Sequence, residues 1–232
     1  MYRQARFLPA GDKALCVELG DAISPEINHR VRSLSLAVEK QSISGIVDVV
    51  PTYRSILVYY DPMCIAHSEL EAQLCSLNDR LENVVVEAPK VLEVPTVYGG
   101  EYGPDLEHVA RYRGLSTEEV VRIHSGTDYL VYMMGFTPGF TYLGGMSERI
   151  ATPRLQTPRV AIPAGSVGIA EQQTGVYPIE SPGGWQLIGR TPIRIFDPDR
   201  DPPVAVEPGD YMRFVPVSEG EYLDFQRRAP PE

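Results

Sequence analysis

Between Gly135 and Pro192, 17 of 58 residues are glycine or proline. Proline removes a backbone donor and fixes φ, and glycine weakens helices, so no long helix can cross this stretch. It predicts short strands joined by tight turns. Among the breakers stand Phe136, Phe140, Tyr142, Arg154, Arg159, Ser166, Gln173, Thr174, Tyr177, Trp185 and Arg190. A core needs few such polar groups, whereas a binding surface needs several on rigid backbone.

Around this stretch the apolar runs predict strands at 93–98, 129–133, 160–162, 167–170, 185–188, 193–196 and 211–215. Many short strands separated by Gly/Pro turns read as a closed or nearly closed barrel, because closure removes exposed edges. Two helices are expected before the second strand. One opens at Pro104-Asp105; the other has a Ser116/Glu119 capping box and can end at Gly126. His124 lies in the last turn of the latter. It either interacts favourably with the helix C-terminal dipole or serves as a general base at the mouth of a pocket.

The first 88 residues follow a different plan. A strand at 14–19 precedes Ser24-Pro25-Glu26, an N-cap, a first-turn proline and an acid. Ile27, Val31, Leu34 and Val38 then form one apolar stripe. Strands at 46–50 and 55–60 follow, then a helix carrying Leu70, Leu74, Leu77 and Leu81, and a strand at 84–86. The order β-α-β-β-α-β predicts a ferredoxin-like α/β sandwich over 1–88. Lys90 to Glu93, between Pro89 and Pro95, marks the junction with a second domain over 89–232. His29 and His67 are assigned surface or capping roles.

Net charge is −10 and 43% of residues are hydrophobic. The charge disfavours nucleic acid and acidic membrane surfaces, while the apolar fraction suffices for a packed core. The N-terminus lacks a secretory apolar stretch and no run reaches membrane-spanning length, so the expectation is a cytoplasmic protein with no membrane contact. Cys16, Cys64 and Cys75 are scattered and predict neither a disulfide framework nor a zinc site. No metal site is expected.

Known chemistries are mostly excluded. Ala164-Gly165-Ser166-Val167-Gly168 resembles a nucleophile elbow, but its first position is alanine and no histidine follows His124. Asp197, Asp199 and Asp201 begin with calcium-loop spacing, yet Pro208 occupies the bidentate glutamate position, leaving an acidic turn. There is no GxxxxGK[ST] phosphate loop. What remains is a set of arginines, amides and hydroxyls suited to holding a small carboxylate, amide or phosphate. Arg159 and Arg190 either present bidentate forks to an oxyanion or bond loop carbonyls. Gln173, Thr174 and Tyr177 are read as one short loop, serving a ligand or a hydrogen-bonded turn. Ser166 and Trp185, the latter following Gly183-Gly184, complete the candidate substrate-binding set.

The runs GFTPGFTYLGGM, TPRVAIPAGSVGIA, QTGVYP and SPGGWQLIGRTP resemble the subunit-1 family of allophanate hydrolases, which includes the B-type subunit of 5-oxoprolinase and the Kip inhibitor of a sporulation histidine kinase. VPTVYGGEYGPDLEHVA and GLSTEEVVRIHS extend the resemblance upstream. It implies a cyclophilin-like β-barrel for the second domain, hence an α+β chain. It further implies a subunit that opens 5-oxo-L-proline to glutamate while ATP goes to ADP and phosphate. ATP would be bound by, or shared with, a partner. The implied partners are a carboxyltransferase-like second subunit, the C-type component of 5-oxoprolinase, and a third, the A-type component. The matching His-Ser favours a catalytic role for His124 beside Arg159 and Arg190. Allophanate or urea amidohydrolysis and histidine-kinase inhibition are the alternatives; prolyl isomerisation would rest on fold analogy alone. At Glu171 the family often has glycine, so the loop there departs from the pattern.

Overall fold

The computed structural model describes residues 2–81 and 88–228, and their contacts gather into two compact units, Met1–Ala88 and Pro89–Glu232. In the first, β1 (Arg6–Pro9), β2 (Ala14–Glu18), β3 (Ile46–Pro51) and β4 (Ser55–Tyr60) form an antiparallel sheet in the order β1-β2-β4-β3. Helices α1 (Pro25–Gln41) and α2 (His67–Asn78) contribute Ile27, Val31, Leu34, Val38, Leu70 and Leu74 to its core. Ser24 caps α1 by accepting from the Ile27 amide, with Pro25 in the first turn as expected. The order β2-β4-β3 is the one a split β-α-β-β unit requires. Strand β1 was not foreseen: it has four residues, is mostly exposed and ends in proline. The expected strand at 84–86 lies outside the described residues.

The second unit is a closed seven-stranded barrel. Its strands are β5 (Val91–Tyr98), β6 (Asp128–Met134), β7 (Thr141–Gly144), β9 (Ser166–Ala170), β10 (Gln173–Val176), β12 (Gln186–Arg190) and β13 (Tyr211–Pro216). They close in the order β10-β7-β6-β13-β5-β12-β9. Only the β13–β5 pair is parallel. Strand β12 reaches just Val97 and Tyr98 of β5, so Pro95 sits where β5 pairs with β13 alone and its missing donor is tolerated. A separate two-stranded ribbon joins β8 (Arg159–Ile162) to β11 (Ser181–Gly183). Helices α3 (Leu106–Arg113) and α4 (Thr117–Ser125) pack into the barrel core, and α5 (Glu219–Arg228) follows the last strand. Both halves of the Ser116/Glu119 capping box are present.

Two expectations are corrected. The run 193–196 is not a strand: Phe196 makes a lone bridge with Val204, and the Arg200 guanidinium takes the Arg194 and Ile195 carbonyls. The supposed loop at 173–177 is largely strand β10, paired with β9 from Gln173↔Ala170 to Val176↔Val167. Its central glycine lowers strand propensity, but the β9 ladder supplies the hydrogen bonds regardless.

Candidate functional site

Alternation along the barrel wall sorts the polar residues singled out from sequence. Val167, Ile169, Val176 and Ile188 enter the barrel core with Val94, Val131, Leu143 and Phe214. Ala170, Tyr177 and Leu187 belong instead to a second cluster with Phe140, Ile162 and Trp185, with Tyr142 against it. Residues two apart share a face, so Ser166, Gly168 and Gln173 lie on the outer wall with that cluster, while Thr174 points inward. A bulge between Leu187 and Gly189 returns Arg190 to the outer face, opposite Ser166.

Phe140 is the hub of the outer layer. It meets Phe136, Tyr142, Tyr177 and Trp185 edge-on, with centroids 5.1 to 5.5 Å apart. Such edge-to-face pairs are favourable beyond their area. Three glycines of this turn-rich stretch make room for these rings. A Cβ at Gly183 would collide with the Tyr177 hydroxyl, one at Gly175 would meet the Trp185 ring at 3.3 Å, and one at Gly168 would meet Trp185 Cβ at 3.1 Å. They admit the protein's own aromatics. Tyr177 and Trp185 are accordingly buried, at 2% and 6% exposed, and burial pushes the Tyr177 hydroxyl up to about 12.

His124 is inside the barrel unit rather than at a pocket mouth, fully buried. Its Nδ1 is 2.8 Å from the Tyr98 hydroxyl, and its Nε2 is 2.8 Å from Thr174 Oγ1. Thr174 gives its one hydroxyl proton to the Gly168 carbonyl at 3.0 Å, so it accepts from Nε2–H, and Nδ1 accepts from Tyr98. The ring is neutral, its pKa lowered to about 3 by burial. His124 therefore fastens α4 to β5 and β10, and every polar atom it has is engaged.

Arg159 is also engaged. It donates to Asp105 Oδ1 at 2.8 Å and to the Trp185 carbonyl at 3.3 Å. Asp105 accepts from the Leu187 amide at 2.6 Å through its other oxygen. Arg159 thereby ties the ribbon to β12 and to the start of α3, a role that sequence could not assign because Asp105 lies 54 residues away.

Arg190 and Ser166 differ. Nε of Arg190 and Oγ of Ser166 are both buried without a hydrogen-bond partner. Their residues are directly opposed across the β12–β9 pair, which sets the Cβ atoms about 5 Å apart. Gly165 before Ser166 has φ of 78°, and a Cβ there would collide with the Thr191 carbonyl. The Arg190 guanidinium lies 5.7 Å from the Tyr102 ring centroid, and the Tyr222 ring stands 4.9 Å from that of Tyr102. Neither tyrosine was anticipated from sequence.

Arg159, Gln173 and Arg190 do not meet in one cleft. Gln173 and Arg190 pair with opposite ends of β9, about 13 Å apart along the strand. A groove of this unit, about 510 Å³, is lined by Tyr98, Leu106, Thr117, Val121, Arg122 and Pro216 among others, and by none of the predicted site residues. Among the described residues no group of three His, Cys, Asp or Glu could hold a metal, and no helix is long and apolar enough to cross a membrane.

Comparison with known proteins adds a second line of observation. The family described as carboxyltransferase domain, subdomain C and D, matches residues 5–206. The 5-oxoprolinase B subunit of Bacillus subtilis (strain 168) is 44% identical over 230 residues, covering 94% of this chain and 95% of that protein. The 5-oxoprolinase B subunit of Escherichia coli O157:H7 is 42% identical over 219 residues, covering 94% and 99%. Among solved structures, the conserved uncharacterized protein PH0987 of Pyrococcus horikoshii is 52% identical. It aligns with a TM-score of 0.56 over 94% of this chain and 100% of that one.

Proposed function

The chain belongs to the family of carboxyltransferase-domain subdomains C and D and of 5-oxoprolinase B subunits, and from that membership we propose that it is one subunit of an ATP-dependent 5-oxoprolinase. The observation that carries this reading is identity of 42 to 44% to two curated B subunits along 94% of the chain. The assembled enzyme would hydrolyse the lactam C–N bond of 5-oxo-L-proline to give glutamate, with ATP going to ADP and phosphate. A B-type subunit implies partners, here a carboxyltransferase-like second subunit and a third one. ATP is the co-substrate of the assembly.

Within this chain, Arg190 and Ser166 are the groups we assign to substrate. Both offer polar atoms that the protein leaves unpartnered, and a guanidinium beside a hydroxyl suits a carboxylate or a lactam oxygen gaining charge as its amide is activated. The aromatic layer and the Arg159–Asp105 pair hold the wall on which these two groups stand. His124 and Thr174 support it from within.

Glutamate release from 5-oxo-L-proline and ATP tests the reading, measured with this chain alone, with both partner subunits, and with Arg190→Ala in the mixture. Activity is expected only in the complete mixture, falling at least ~100-fold with the substitution. A complete mixture inert toward 5-oxo-L-proline but active on urea or allophanate would overturn the substrate assignment. Undiminished activity of Arg190→Ala would overturn the site.

A further inference from the structure

Helix α5 is attached to the barrel unit through very little. Of its ten residues only Tyr222 is buried, while Leu223 and Phe225 are 38% and 41% exposed. A helix this short is marginal by itself, so its attachments decide whether it stays formed. Ser218 and Glu221 cap its start reciprocally. The remaining ties converge on one place. The Tyr222 ring lies 4.9 Å from that of Tyr102, Tyr102 donates to Glu219 at 3.1 Å, and the Arg190 guanidinium lies 5.7 Å from the Tyr102 ring centroid. Arg190 carries the unpartnered Nε, and the unpartnered Ser166 Oγ is on the residue opposite it across the β12–β9 pair. Buried polar atoms without partners are held at a cost that an oxyanion could relieve, and an element with a single buried side chain opens locally at low free energy.

We propose that α5 is a lid over an oxyanion site formed by Arg190 and Ser166, hinged at Ser218 and latched by Tyr222. Its ligand is a small carboxylate or phosphate. The hinge follows Val217, whose amide is fixed to the Thr96 carbonyl at 3.0 Å, and beyond it the helix meets Tyr102 through Glu219 and Tyr222. With the lid raised, Tyr222 leaves the Tyr102 ring and the site beside Arg190 admits an anion. With the lid lowered, Tyr222 and Tyr102 cover the bound anion and exclude water, which strengthens its pairing with the guanidinium. This proposal rests on the assignment of Arg190 and Ser166 to substrate.

Amide hydrogen exchange on the full chain, with inorganic phosphate or 5-oxo-L-proline as separate probes, tests it. In the free protein the α5 amides should exchange at least ~100-fold faster than those of β9 and β12, and a saturating anion should slow them about tenfold. Tyr222→Ala should abolish that slowing and raise the anion association rate, while Arg190→Gln should abolish anion binding. Tyr222→Phe, which keeps the ring against Tyr102, should retain the slowing that Tyr222→Ala loses, and loss of the slowing in Tyr222→Phe would overturn the ring latch. Slow α5 exchange in the free protein, or α5 exchange indifferent to both anions, overturns the lid even if the complete mixture releases glutamate. Phosphate protection without 5-oxo-L-proline protection leaves the lid standing and removes the proposed substrate.

Discussion

His124 shows how burial fixes the chemistry of one residue. Its imidazole is neutral because desolvation lowers its pKa to about 3, whereas in the unfolded chain it titrates near ~6.5. The folded value is depressed, so the stability that neutral His124 contributes is complete above the unfolded pKa. It is lost as pH falls from there toward the folded pKa, by about 1.4 kcal/mol per pH unit. Between pH 7 and pH 5 the loss should be about 2 kcal/mol, read as a fall in the urea midpoint. His124→Gln should be less stable at pH 7 but show a flatter decline; an unchanged decline would mean other groups carry it. Glu171 makes the complementary point about backbone. It holds φ at 51° in the turn between β9 and β10, a left-handed conformation that glycine adopts without strain. Glu171→Gly should therefore stabilise the protein by about 1 kcal/mol, seen as a rise in Tm. The sequence pointed to this position through its departure from the family's glycine. It gave the opposite impression of His124, since the last turn of an amphipathic helix carries no sign of whether its polar residue turns toward solvent or toward a barrel.

The elements tell the same story through their pairing. The ribbon β8–β11 lies against the aromatic layer, and Gly183 in β11 leaves space for the Tyr177 hydroxyl. Gly183→Ala should destabilise the protein by about 2 kcal/mol, because the ring it would strike is buried and cannot swing away. A Tm equal to wild type would show that the layer is looser than its contacts imply. Arg159 fastens the same ribbon to Asp105 and Trp185. Arg159→Ala should cost about 2 kcal/mol by leaving the mostly buried Asp105 carboxylate without its cation. Its kcat/KM in the assembled enzyme should stay within a few-fold of wild type, in contrast to Arg190→Ala; a loss equal to that of Arg190→Ala would return Arg159 to the site. Strands β5, β6, β9 and β13 were legible as apolar runs. Strands β7, β10 and β11 were not, since each is three or four residues long and contains glycine, so their hydrogen bonds come from neighbours rather than from local preference.

Across the whole molecule, the two units have separate cores, and the residues assigned to substrate stand on the outer wall of the barrel rather than inside it. A polar pair on an outer wall, beside a thinly attached helix, suits a protein whose site is completed by other chains. Titrating this chain into a fixed amount of both partners should raise glutamate release to a plateau at a whole-number ratio. A plateau already reached without it would exclude a role in the assembly. Sequence by itself determined the two-part α+β plan, the capped helices, the barrel and the family, because periodicity, caps and ordered Gly/Pro motifs are local properties of the chain. Only the tertiary structure decided which polar residues are free. Arg159 and Arg190 look alike in sequence, each near glycines in a turn-rich stretch, yet one meets Asp105 from 54 residues away and the other retains an unpartnered nitrogen. That difference follows from strand register and one bulge, which set the face and the neighbours of every side chain beyond the reach of local pattern.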